Sequence, residues 1–235
     1  MSSKVTFVLD GRDIEAKPGQ SILEAADAAG VYIPRLCYHK DLAPGGHCRI
    51  CSVKVNGKVT NACTMPVMDG MVVESDTPEL TAHRKRIIEM LFVEGNHFCP
   101  TCEKSGRCEL QALAYRFGMT APAYPYLARV AAVDASHADV FIDRNRCVLC
   151  GRCVRASRDR DHKGLFGFEG RGLGMRVVVE SLDGLGGTAL VRDDAAAAIC
   201  PTGSIVVKRV GYATPYGKRT YDKAPIGSEI EKKGS

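Results

Sequence analysis

The 235 residues contain no tryptophan, and aromatic residues of every kind make up only 6% of them. Nowhere do those aromatics interleave with a run of Lys and Arg, and the net charge is a modest +5. A nucleic-acid surface is therefore not expected, and the charge reads as an ordinary solvated, mixed-sign exterior. Long apolar runs are also missing. No stretch approaches the ~20 residues that would span a bilayer. Met1 to Asp10 alternates like a strand and carries neither a secretory apolar region nor a twin arginine. These absences predict a cytoplasmic protein. Nucleotide-binding glycine loops are absent as well: no G-x-G-x-x-G follows a strand, and no G-x-x-x-x-G-K-[ST] occurs. The glycines between Gly164 and Gly174 do not keep a dinucleotide spacing and read as turns. No Ser/His/Asp order or carboxylate pair can be argued, so no catalytic residue is expected.

Cysteine is what the chain has in quantity, with eleven. They fall into a set of four (Cys37, Cys48, Cys51, Cys63), a set of three (Cys99, Cys102, Cys108) and a second set of four (Cys147, Cys150, Cys153, Cys200). Short spacings and an odd count fit metal ligation better than a disulfide framework in a reducing compartment. His97 stands just before the incomplete set, whereas His39, His47, His83, His137 and His162 have no comparable place. Adding His97 makes three four-ligand sites. With 45% apolar and 25% charged residues the remainder is ordinary globular protein. Metal would brace small domains that bury too little surface to be stable on apolar contacts alone.

Pattern divides the chain into units. Residues 1–76 read as two hairpins, turning at Asp10-Gly11 and Asn56-Gly57, plus a short helix entered through a capping box at Ser21 and Glu24 and stopped by Gly30. The Val72-Val73 segment is expected to close this sheet, giving a β-grasp fold. Residues 77–118 read as a helical segment, with Thr77 and Pro78 starting one helix, Gly95 ending it, and a second running from Glu109 to Phe117. Met90, Phe92 and Val93 are expected in the core. Residues 136–210 should hold strands at 139–143 and 175–180 around the last cysteine set. The tail, 211–235, lacks periodicity and is expected to wrap a neighbour or to be partly mobile. The fold class is thus α+β: a β-grasp [2Fe–2S] ferredoxin domain, a helical segment with a one-histidine, three-cysteine cluster site, and a [4Fe–4S] ferredoxin-like domain.

Each set has its own chemistry. Gly45 and Gly46 precede Cys48 and Cys51 in a short loop whose backbone can approach inorganic sulfide, which suits a four-thiolate [2Fe–2S] cluster. A four-cysteine zinc site is the alternative, although such sites more often pair two C-x2-C knuckles. Cys147, Cys150 and Cys153 wrap one [4Fe–4S] cluster. The next position of the bacterial ferredoxin run is Ser157, which leaves Cys200, followed by Pro201, as fourth ligand. For His97, Cys99, Cys102 and Cys108 the reading is a [4Fe–4S] cluster with one imidazole ligand, against a zinc site of the same residues. No cysteine remains for a nickel–iron or other catalytic centre. Arg146, Arg152 and Arg155 flank the last set and read as solvated charges.

This order of sites resembles the N-terminal part of the large iron–sulfur subunit of respiratory complex I, and that of some iron-only hydrogenases and NAD-linked formate dehydrogenases. His97 lies two residues before Cys99, where complex I has a longer H-x3-C spacing. The length, the stretch from Glu94 to Cys108 and the segment from Lys208 to Tyr212 look like the diaphorase iron–sulfur subunits of soluble NAD-reducing [NiFe] hydrogenases. That resemblance implies one [2Fe–2S] cluster on Cys37, Cys48, Cys51 and Cys63, one [4Fe–4S] cluster on His97, Cys99, Cys102 and Cys108, and another on Cys147, Cys150, Cys153 and Cys200. It implies a hetero-oligomer with a flavoprotein that reacts with NAD(H) and with hydrogenase small and large subunits, in which this chain relays electrons.

Overall fold

The computed structural model describes residues 4–127 and 130–231. Val5–Leu9 (β1) and Arg12–Ala16 (β2) form the first hairpin, and Ser52–Val55 (β3) and Lys58–Asn61 (β4) the second. Both turn residues of each hairpin hold positive φ, 49° and 78° at Asp10-Gly11 and 47° and 81° at Asn56-Gly57. That is the type I′ turn whose twist matches the flanking strands. Val72–Glu74 (β5) completes the sheet from its middle, joining the two hairpins. The strand order is β2-β1-β5-β3-β4, with β5 parallel to β1 and antiparallel to β3. Val73 is 1% exposed among Phe7, Leu9 and Val53, and a side chain so enclosed needs neighbours on both sides. Ile22–Ala28 (α1) covers the sheet. Its capping box is formed: Ser21 Oγ accepts from Glu24 N at 3.2 Å, and the Glu24 carboxylate accepts from Ser21 N at 2.9 Å.

Pro78–Glu94 (α2) begins at Thr77, whose Oγ1 accepts from Leu80 N at 3.2 Å, and packs on Glu109–Arg116 (α3). Val93 is buried and Phe92 partly so, whereas Met90 faces solvent. Ile88, Leu110 and Leu113 share a core with Leu36 and Ile50 from the first unit and with Ile226 from the tail. The tail therefore packs on its own chain. Tyr221 N donates to the Gly106 carbonyl at 2.9 Å, and Arg116 donates to the Ile226 carbonyl at 2.8 Å and pairs with Glu231 in the short helix Ser228–Glu231 (α6). At Gly227 a Cβ would lie 2.3 Å from the Tyr32 ring, so only glycine lets the tail press there. Residues 232–235 of the tail lie outside the described residues.

In the last unit Val133–Asp134 (β6), Val140–Asp143 (β7) and Ile205–Val207 (β10) form a sheet in the order β10-β7-β6. Arg152–Asp159 (α4), the hairpin of Phe166–Glu169 (β8) and Arg176–Val179 (β9), and Ala195–Ala198 (α5) complete it. Val140, Ile142, Ala156, Leu185, Ala196 and Ile205 fill its interior. Ser157, which stands where a ferredoxin would carry a cysteine, is fully buried, and its hydroxyl accepts from Leu165 N at 2.9 Å.

Candidate metal centres

The first set is assembled from loops around the β-grasp sheet. Cys37 follows α1, Cys48 and Cys51 precede β3, and Cys63 follows β4; Cys37, Cys51 and Cys63 are buried. Their thiols meet as two pairs, Cys37 with Cys48 and Cys51 with Cys63. Cys37 N also points at Cys48 Sγ, at 3.4 Å. The hydrogen bond between the two thiols draws that of Cys37 down and pushes that of Cys48 up. Of the loop glycines, Gly46 holds a φ of 70°, the left-handed region that favours glycine.

The middle set surrounds a second cavity. Cys99 and Cys102 bracket a single helical turn, and Cys108 is the N-terminal cap of α3, where its sulfur faces Gln111 N at 3.5 Å. His97, Cys99, Cys102 and Cys108 line the same space with Phe92 and Gln111. One His97 nitrogen bonds the Leu91 carbonyl, while Nε2 is buried without any hydrogen-bond partner. Burial, and then the charge of Arg146, pull the imidazole down to about 4. The ring is therefore neutral at pH 7, with one N–H given to the backbone and a free lone pair on Nε2. That is the preparation a metal-ligating histidine needs. Gly95 makes room for it, since a Cβ there would lie 2.5 Å from Nε2. Gly203 does the same for Cys102, whose Sγ would be 2.8 Å away.

The third set lines an apolar cavity together with Ile142, Val148, Val177 and Ile205. Leu149 and Gly151 hold φ of 51° and 66°, which folds Cys147, Cys150 and Cys153 around one centre before α4 begins. Cys200 enters from the end of α5. Burial pushes the thiols of Cys147 and Cys150 up to about 11 and about 12, and that of Cys153 well above its ordinary value. Such thiols give up their protons when a bound cationic centre replaces them. Among the described residues no three His, Cys, Asp or Glu side chains converge on a point fit for a single ion. Four cysteines that line one shared space, three of them from a C-x2-C-x2-C run, suit a cluster.

The arginines beside the third set are not solvated charges. Arg152 is 2% exposed; it forks onto the Glu109 carboxylate at 2.6 Å and donates to the Tyr38 carbonyl at 2.7 Å. It thereby ties residues adjacent to Cys37 and Cys108 to the loop of Cys150 and Cys153. Arg146 pairs with Glu103 and Asp143 and points Nη1 at Cys102 Sγ, 3.8 Å away. Glu109 N donates to the Pro201 carbonyl at 2.9 Å, joining the peptides that follow Cys108 and Cys200. Apart from Asp143 with Arg146, three residues apart, these contacts span large separations along the chain, and sequence spacing held no signal for them.

Comparison with known proteins agrees with this arrangement. Residues 2–78 match a 2Fe-2S iron-sulfur cluster binding domain, residues 84–122 an NADH-ubiquinone oxidoreductase-G iron-sulfur binding region, and residues 140–207 a 4Fe-4S single cluster domain. The chain is 37% identical over 179 residues to the mitochondrial NADH-ubiquinone oxidoreductase 78 kDa subunit of Candida albicans, covering 74% of this chain and 25% of that protein. It is 43% identical over 224 residues to the NAD-reducing hydrogenase HoxS subunit gamma of Cupriavidus necator, covering 94% of each. A chain in the crystal structure of NAD+-reducing [NiFe]-hydrogenase in the H2-reduced state superposes with a TM-score of 0.93 at 47% identity, covering 97% of this chain and 99% of that one. An iron–sulfur chain that shares both its length and its sequence with these hydrogenase subunits belongs to the family of the gamma subunit of NAD-reducing hydrogenase.

Proposed function

We propose that this chain relays electrons between a flavoprotein that reacts with NAD(H) and a [NiFe] hydrogenase module, within a cytoplasmic H2:NAD+ oxidoreductase. The observation that carries the reading is the end-to-end match to the hydrogenase gamma subunit, 94% of both chains, which leaves no room for a catalytic domain of another kind within the matched span. The domains are 1–76, 77–118 and 136–210, followed by the tail.

Cys37, Cys48, Cys51 and Cys63 would hold a [2Fe–2S] cluster, a reading supported by the way their thiols meet as two pairs. His97, through Nε2, holds one [4Fe–4S] cluster with Cys99, Cys102 and Cys108, and Cys147, Cys150, Cys153 and Cys200 hold the other. The clusters, when bound, supply reversible one-electron chemistry. The protein supplies dry cavities, fixed ligand geometry and hydrogen bonds that join the sites. Its hydrogen-bonded links run from the third set to both others, which supports a central place for that set.

The test is to tag the chain in its native host, purify the assembly without oxygen and measure H2-driven NAD+ reduction. Turnover is expected. A pure assembly that oxidises NADH with a dye but ignores H2 would instead favour a complex I-like or formate-linked enzyme. The match of residues 84–122 to the NADH-ubiquinone oxidoreductase-G region supports that second reading.

A further inference from the structure

The arginines packed around the cysteine sets differ in how their charge is met. Arg35 pairs with Asp27, Arg146 with Glu103 and Asp143, and Arg152 with Glu109. Arg84 and Arg155, 2% and 8% exposed, have no ion-pair partner among the described residues. Carbonyls alone receive them. Arg155 donates from Nη1 to Ala43 O at 2.5 Å, from Nε to Gly151 O at 3.2 Å, and from Nη2 to both Cys37 O at 2.6 Å and Cys150 O at 3.2 Å. Arg84 donates from Nε to Ile50 O at 3.1 Å and from Nη2 to Ser52 O at 2.8 Å, the two residues that flank Cys51, and from Nη1 to Ser75 O at 2.7 Å. Asp159, one turn along α4, feels Arg155 but is exposed and paired with Arg158.

Carbonyls satisfy N–H groups without neutralising charge, and a guanidinium keeps its proton even when buried. Burial lowers the pKa of Arg84, whereas Arg35, Arg146 and Arg152, each beside a carboxylate, are raised. A buried, uncompensated cation is costly. Near Arg84 the negative groups are Asp76, the Cys51 thiolate and Asp10, and neither carboxylate is ion-paired with it; near Arg155 two of the carbonyls belong to Cys37 and Cys150, themselves candidate ligands of anionic thiolate centres.

We propose that Arg155 is the counter-cation shared by the [2Fe–2S] site and the Cys147–Cys200 site, and that Arg84 serves the [2Fe–2S] site alone. One nitrogen, Arg155 Nη2, bridges the carbonyls of a ligand residue from each. A positive charge held in a low-dielectric interior favours the reduced, more negative form of each neighbouring centre. Arg155 is thus a positioning residue that sets two potentials together. The proposal rests on the cluster assignment given above.

The experiment is an anaerobic, EPR-monitored redox titration of the whole assembly carrying Arg155→Gln, Arg155→Lys or Arg84→Gln. Arg155→Gln is expected to lower the equilibrium constant for one-electron reduction about tenfold at both centres, which is about 59 mV. The histidine-ligated centre should stay unmoved. Arg84→Gln should lower the [2Fe–2S] centre only, and Arg155→Lys, which keeps the charge but breaks the carbonyl clamp, should hold wild-type potentials. Unshifted potentials in a fully loaded Arg155→Gln, or an equal shift of all three centres, would overturn the proposal. If Arg155→Gln does not load iron, Arg155→Lys decides: loading with wild-type potentials supports the shared charge, and shifted potentials or failure to load make Arg155 merely structural. Absence of the three signals from the wild-type assembly would instead refute the cluster assignment itself.

Discussion

Replacing Glu109 by glutamine removes the carboxylate that faces Arg152 and keeps the side chain's size. Arg152 is 2% exposed at its side chain and Glu109 23%, with both guanidinium forks at 2.6 Å. Taking one partner from a buried pair leaves an uncompensated charge and costs roughly 3–5 kcal/mol. The partial exposure of Glu109 places this pair near the lower end, about 3 kcal/mol. In a chain of this size each kcal/mol moves the melting midpoint by roughly 2–4 °C, so Glu109→Gln should lower it by about 6–12 °C. The loss should appear at all three cysteine sets, because Arg152 joins residues next to Cys37 and Cys108 to the Cys150 loop. The control is Lys4→Ala, which breaks an ion pair whose side chains are 71% and 63% exposed and should cost about 0–1 kcal/mol. The assay is anaerobic thermal denaturation at fixed scan rate, followed by bleaching of the visible cluster absorbance. If Glu109→Gln melts with the control, Arg152 is not the junction described above.

Other perturbations separate the sites. Cys150→Ala should abolish one [4Fe–4S] signal in reduced-state EPR and leave the other two; persistence of all three would contradict the ligand set. His97→Cys replaces a neutral ligand with a thiolate, so the middle centre should titrate at lower potential. An unchanged potential would exclude His97 as ligand. Gly95→Ala puts a Cβ 2.5 Å from His97 Nε2 and 3.0 Å from the Asn145 carbonyl. It should perturb or remove the middle centre's EPR signal while the [2Fe–2S] signal stays intact, and a wild-type spectrum would show that the imidazole does not need that space.

Much of this molecule was legible because its signals are local. A capping box at Ser21 and Glu24, a proline after Thr77, and Asp-Gly and Asn-Gly turns each act within a few residues, and the folded chain uses all of them. Met90 failed as a core residue because helical spacing tells which residues share a face, not which faces are covered. That Val72–Glu74 would complete the sheet was legible, but its place between the two hairpins was not, because the strand pattern carries no partner.

The sequence by itself determined the inventory of candidate ligands and their division along the chain into three sets, the second one cysteine short of four, since these follow from counting and from the reach of short loops. Tertiary structure alone decided how the sets are joined. Arg155 meets the carbonyl of Cys37 across 118 positions, and Arg152 meets Glu109 across 43. An arginine two residues from a cysteine looks the same in sequence whether it faces water or lies between two cysteine sets. Burial depends on which distant surfaces fold over it, and only the assembled fold supplies those.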